Sequence, residues 1–495
     1  MTVKRSCLHA GESLGAVRCD GAGAAPSLGI DGERAALLRS VLDAAVAKAR
    51  RSGTETLASL TVALAGEVDP SAVVIASRRP AESWFLLEQP ERGRMALAAL
   101  GEAASVEASG ADRFERVAGR WRELAAAAVC ADEQTGNAGP VALGGFAFAP
   151  GGGHSPAWAG FAPASLKVPE VALARDERAV RLTLTALARP DDEAGELLAR
   201  LQRRVAELRM RPIPLLDPDP AGRHVVSSTM PPEHYEAAVA RAKELIARGQ
   251  IEKVVLSRQV EVHAPSSYDP GAVFGVLREA FGGCFLFCVG RGDAAFVAAS
   301  PELLVRREGQ RVSALALAGS IRRSADPAVD DHLGEQLLRD ETYREEHAIV
   351  ARRIARTLRP HSVWVACAPE PTLAKIANVQ HLATPIRAQL AKPIDALALA
   401  GLMHPTPAVG GEPRRAALAL IPALEGHDRG WYAGPVGWTD GTGDGEFCVA
   451  LRCALLRGSL ARCYAGGGIV RDSDPAAELA ETEIKLAALL PLLSG

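Results

Sequence analysis

At 495 residues, 48% hydrophobic and 23% charged, the chain has the composition of a globular protein with a sizeable core, and global disorder is excluded. Its 56 basic and 59 acidic residues leave a net charge of −3, which offers no electrostatic footprint for nucleic acid. No stretch approaches the roughly 18 uncharged apolar residues of a membrane span, no apolar run follows Lys4 and Arg5, and the nine cysteines are odd in number and lack C-x-x-C spacing, so a soluble, cytoplasmic protein is expected.

Residues 1–30 are rich in Gly, Ala and Ser without periodicity and read as a loose arm. Residues 33–52 carry Leu37, Leu38, Val41 and Ala45 at helical spacing. The runs starting at Leu60, Val73 and Ser83 read as strands. A helix is predicted over 112–130, a glycine-bearing strand over 141–148, an alternating strand over 180–187 and an amphipathic helix over 192–210. Four prolines in 211–222 mark a linker between a variable N-terminal portion, 31–222, and a C-terminal portion, 223–495. Beyond it the pattern predicts helix 232–248, strand 251–262, helix 270–281, strands 283–290, 294–299 and 311–317, and helices 333–358 and 394–403. Strands 431–440, 446–456 and 460–465 and a helix over 475–493 complete the chain. Strands joined by short turns and grouped apart from helices point to an α+β fold with antiparallel sheets.

Several chemistries are missing. There is no G-x-x-x-x-G-K-[ST] loop, no H-E-x-x-H, no zinc spacing of Cys and His and no G-x-S-x-G. The C-terminal half instead sets polar residues in apolar surroundings. Lys253 stands in Ile251-Glu-Lys-Val-Val-Leu; a lysine in an apolar site can lose its proton near neutral pH and act as a base. The same lysine also reads as an edge-strand charge that blocks aggregation. Glu302, just past Ala298-Ala-Ser-Pro, is a general acid if buried and a turn residue if solvated. Glu478, Glu481 and Lys485 share one helix face, as a carboxylate row for a hard cation or as a plain ion-paired surface.

Read in order, Lys253-Val-Val-Leu-Ser-Arg, Ser300-Pro-Glu-Leu-Leu, Leu317-Ala-Gly-Ser, Glu346-His347, Gln380-His-Leu-Ala-Thr, His404-Pro-Thr-Pro-Ala, Asp428-Arg-Gly-Trp-Tyr, Gly466-Gly-Gly-Ile-Val and Glu478 to Lys485 resemble the chorismate-utilising enzymes. The likeness is dense over roughly 225–493 and loose before it. It implies antiparallel sheets packed in a two-lobed sandwich with helices outside, both portions forming one globular unit. Within the family, Ala408 looks like the isochorismate synthases, where the anthranilate, aminodeoxychorismate and salicylate synthases tend to carry Thr or Ser. Ala318 stands where aminodeoxychorismate synthases usually have a lysine, and Lys253 matches the strand lysine of the water-using members.

The resemblance implies a Mg²⁺-dependent isomerisation of chorismate to isochorismate. Lys253 deprotonates the water that attacks C2, and Glu302 protonates the departing C4 hydroxyl. Glu346 and Glu481 hold Mg²⁺, and Glu478 holds a metal-bound water or Lys485. Tyr432, Arg452 and the Gly468 amide bind the pyruvyl carboxylate, Gly319 and Ser320 line the ring-carboxylate end, and His381 and Ala408 lie near substrate. A salicylate synthase, an inactive chorismate-binding paralogue and an amidotransferase-coupled anthranilate synthase are the rival readings. No glutamine amidotransferase subunit is expected, and a monomer is favoured. Two departures stand out: Gly467 replaces a family alanine, and Glu412 adds a charge where many relatives are apolar.

Overall fold

The computed structural model describes residues 28–30, 32–131, 139–217, 222–376 and 378–495. The loose arm expected over 1–30 lies outside the described residues but for 28–30, and the proline segment has no regular structure over 211–217. Among the described residues no helix is long and apolar enough to cross a membrane.

The strands form a 13-stranded and a 10-stranded sheet, antiparallel throughout except for the short parallel pairing of Thr56–Leu64 with Val129–Ala131. The fold is therefore the expected α+β class with antiparallel sheets. Each sheet draws strands from either side of the proline segment: Ala81–Gln89 pairs with Phe285–Gly292 in the larger, and Val141–Phe146 pairs with Pro435–Asp440 in the smaller.

Period-two alternation explains how the large sheet packs on both faces. In Ala294–Ser300, Ala294, Phe296 and Ala298 enter the core shared with the small sheet. The intervening Ala295, Val297 and Ala299 enter a second core. That second core is closed by the helices Gly32–Ser52, Ala194–Ala206 and Pro270–Ala280. The first of these turns Leu38, Val41, Leu42, Ala45, Val46 and Ala49 inward, the stripe that a 3.6-residue period produces.

Four of the elements read from the sequence are of another type or divide in two, each for a local reason. The β-branched run at Val73 is the helix Pro70–Ser77: Asp69 accepts a hydrogen bond from the Ala72 amide and Pro70 presets the first turn, so capping overrides β propensity. The helix read over 333–358 is two, Pro327–Arg339 and Glu341–Leu358, because Asp340 leaves helical geometry and accepts from the Thr342 and Tyr343 amides. The strand read over 446–456 is also two: Gly445–Val449 belongs to the small sheet and Cys453–Arg457 to the large one, with Arg452 at φ 48° between them. The last helix divides into Pro475–Leu486 and Leu490–Ser494.

Candidate active site

The polar cluster forms where the chain passes from one sheet to the other. Glu302 lies between Ala294–Ser300 of the large sheet and Leu303–Glu308 of the small one. Arg452 occupies the return crossing. Lys253 opens the strand Lys253–His263, which is paired on both edges where it begins: Lys253 with Glu412, and Val254 with Ile469. Opposite, Arg311–Arg322 and Val379–Leu390 bring Gly319 and Ser320 beside His381. The helices Glu341–Leu358 and Pro475–Leu486 supply the carboxylates.

Glu302, Gly319, Ser320, Glu346, His381, Ala408, Tyr432, Arg452, Gly468, Glu481 and Lys485 line one pocket. Lys253 does not reach its surface but bonds to Glu346, which does, and Glu478 also lies off the lining, beside Gly467. Lys253 is 0% exposed and its Nζ donates to Glu346 Oε1 at 2.8 Å, so it is no edge-strand guard. Gly468 makes this contact possible: a Cβ there would stand 2.8 Å from Lys253 Cε and collide with Glu346. Glu481 accepts from Ser320 Oγ at 2.6 Å and pairs with Lys485 Nζ at 2.6 Å, while the same ammonium donates to the Gly466 carbonyl at 2.7 Å. The ion pair of the bland reading is present, but it faces the pocket.

Electrostatics separate the carboxyls into roles. Burial lifts Glu302 to about 8 against the attraction of Lys253 and Arg452, and its Oε1 has no hydrogen-bond partner, so at neutral pH it holds a proton. Burial and then the charge of Glu481 lift Glu478 to about 8 as well. Burial would also raise Glu481, but Lys485 and Ser320 overcome it and hold this carboxyl below its ordinary range. His381 is pushed well below its usual value by burial and by Arg452, so it is a neutral imidazole. Its Nδ1–H donates to the Gly319 carbonyl at 3.1 Å and its Nε2 accepts from Arg452 Nη2 at 2.9 Å. The histidine thereby fixes the arginine fork. Beneath it Tyr432 stacks on Tyr464, ring centroids 5.1 Å apart at 14°.

Three glutamates from two helices converge here, and Glu346 and Glu481 have ion-pair partners in Lys253 and Lys485. Among the described residues no assembled cluster of three metal-ligating side chains exists. Yet Glu478 Oε2 is buried without a partner, and the neighbouring Glu481 and Glu346 raise its proton affinity. An all-oxygen donor set with an orphaned carboxylate oxygen suits a hard divalent cation such as Mg²⁺. The departure at Gly467 bears on this: a Cβ there would lie 2.5 Å from Glu478 Oε2, so the glycine leaves that carboxylate its room.

Some participants were not singled out from the sequence. Tyr464 lines the pocket. The Thr406 hydroxyl acts on Glu302. Thr384 Oγ1 meets His347 Nε2 at 2.7 Å and fixes the helix that carries Glu346. Tyr464 was findable as the alternate-position neighbour of the Gly466-Gly-Gly run; the threonines carry no signal apart from their motifs.

A family model described as chorismate binding enzyme matches residues 44–494. The chain belongs to the chorismate-binding enzyme family. It is 39% identical over 408 residues to the salicylate biosynthesis isochorismate synthase of Pseudomonas aeruginosa, covering 82% of this chain and 84% of that one. It is 32% identical over 423 residues to the isochorismate synthase MenF of Bacillus subtilis, covering 83% and 88%. Among solved structures, MenF, the menaquinone-specific isochorismate synthase from Escherichia coli, superposes with a TM-score of 0.73 at 26% identity, over 92% of this chain and all of that one. Anthranilate synthase component I from Streptococcus pneumoniae, at 19% identity and a TM-score of 0.60 over 83% of this chain and 90% of that one, shares the fold.

Proposed function

We propose that this chorismate-binding enzyme is an isochorismate synthase, a hydroxymutase that adds water at C2 of chorismate and expels the C4 hydroxyl. The observation that carries the reading is a buried carboxyl in the pocket that stays protonated near neutral pH, with a fully buried lysine just behind the lining, on Glu346. A base for water and an acid for the leaving hydroxyl are what this substitution needs, each worth on the order of 10²–10⁴ in rate when well placed.

In this reading Lys253 Nζ, positioned by Glu346, acts in its unprotonated form and takes a proton from the attacking water, and Glu302 gives its proton to the departing oxygen. Arg452, oriented by His381, accepts the pyruvyl carboxylate with the help of Tyr432 and the Gly468 amide. Gly319 and Ser320 line the end that takes the ring carboxylate, and Ala408 leaves an apolar wall where a hydroxyl would otherwise stand. Mg²⁺, when bound by Glu346, Glu478 and Glu481, would neutralise the ring carboxylate and anchor it. Lys485 keeps Glu481 ionised and so ready to serve as a ligand.

Incubation of the pure protein with chorismate and Mg²⁺, followed by chromatography of the products, tests the proposal. Isochorismate without salicylate or pyruvate is expected. Salicylate accumulating in step with pyruvate would assign a salicylate synthase, and no consumption of chorismate would leave only a binding protein.

A further inference from the structure

A second cavity, of about 550 Å³ against about 60 Å³ for the catalytic pocket, lies on the other side of the helix Glu341–Leu358. Five arginines of that helix and its end line it: Arg344, Arg352, Arg353, Arg356 and Arg359. Two carboxylates, Glu252 and Glu412, share the lining and Glu370, beside it, pairs with Arg344 at 2.7 Å, so two positive charges remain. Folding does not account for this stripe, since like charges three and four apart on a helix repel by roughly 0.2–0.5 kcal/mol per pair. Glu412, the charge that departs from the family pattern, draws Arg353 at 3.1 Å and Arg356 at 2.7 Å onto its Oε1. Its Oε2 is buried with no hydrogen-bond partner. Arg352 and Arg359 are exposed and make no ion pair among the described residues. Between the charges stand the apolar walls of Ala351, Ala355, Pro369 and Pro371.

We infer that this cavity is a binding site for a small organic anion that carries both a carboxylate and a hydroxyl on an apolar frame. The carboxylate meets the free forks of Arg352 and Arg359, and the hydroxyl donates to Glu412 Oε2. The volume falls in the ordinary range of small-molecule sites. The site is also joined to the catalytic pocket through shared elements: Glu412 pairs with Lys253 across the ladder, and the helix that bears the arginines bears Glu346.

The test is titration of the full chain with 3-fluoro-4-hydroxybenzoate, followed by ¹⁹F NMR. Saturable binding is expected to the wild type. The double variant R352E/R359E changes two exposed side chains that make no ion pair, leaves the thermal melt unaltered and should bind on the order of tenfold more weakly or worse. 4-Fluorobenzoate, which lacks the hydroxyl, should bind more weakly than the first probe to the wild type and equally to Glu412→Leu, which has no acceptor. Absence of saturable binding, an affinity untouched by R352E/R359E, or displacement of the probe by equimolar inorganic phosphate would each overturn the inference.

Discussion

At the scale of single residues, the site works by giving chemically similar groups different surroundings. Glu302 and Glu481 are both buried carboxyls, yet Glu302 is raised to about 8 by burial while Lys485 and Ser320 keep Glu481 low. Because the folded form of Glu302 binds its proton more tightly than the exposed reference at 4.5, its contribution to stability is complete below that value and is lost as pH climbs through about 8. The melting temperature of Glu302→Gln should therefore depend less on pH between 5 and 8 than that of the wild type. The same titration sets the activity: kcat/KM should fall above about pH 8 as the acid loses its proton. A pH profile without an alkaline limb would remove Glu302 from the acid's role. For Lys253→Ala, turnover should drop by roughly 10²–10⁴ with chorismate binding retained in calorimetry; undiminished turnover would refute the base.

At the scale of elements, backbone permissiveness decides whether the pocket can close. The strand Leu460–Ile469 runs beside Lys253–His263 and presents Gly466, Gly467 and Gly468 where side chains would collide with Ser257, Glu478 and the Lys253–Glu346 pair. Gly468→Ala should cost about 1–3 kcal/mol in overpacking and push Glu346 off Lys253. We expect a folded protein with a lower melting temperature and a large loss of kcat; wild-type kcat would show that this contact is dispensable. Arg452 reaches His381 because the chain turns sharply between two strands at that residue, which takes φ 48°. A continuous strand over 446–456 would have pointed its side chains alternately to two faces of one sheet and could not have served both.

At the scale of the whole molecule, the two portions are joined through hydrogen bonds in both sheets. Phe285–Gly292 is flanked by Ala81–Gln89, and Pro435–Asp440 by Val141–Phe146. Removing residues 31–222 would open a long central edge in each sheet and expose the core residues that face it. Expression of 223–495 alone should therefore give insoluble material or a chain without a cooperative melt. A soluble fragment with a sharp transition and full activity would show that the N-terminal portion is an accessory. The same layout explains why the proposed anion cavity and the catalytic pocket are neighbours: one helix, Glu341–Leu358, walls both.

The order of motifs from Lys253 to Lys485 already named the family and nearly every pocket residue, because each motif pairs a chemical side chain with a backbone that must be small or turned beside it. Composition and periodicity also yielded the α+β class, since alternation and 3.6-residue stripes are local properties of the chain. Whether Lys253 and Glu302 were surface charges or buried ones was not legible locally, because burial is created by strands distant in the chain. The same holds for Glu412, whose partners Arg353 and Arg356 lie far from it in the chain and meet it only in the tertiary structure. Breaks at Asp340 and Arg452 and the helix at Pro70–Ser77 escaped the periodic reading for the opposite reason: a single cap or one unusual φ outweighs the hydrophobic pattern around it. Local pattern thus determined which side chains stand in the motifs, and only long-range packing decided which of them lose water and so have their proton affinities shifted.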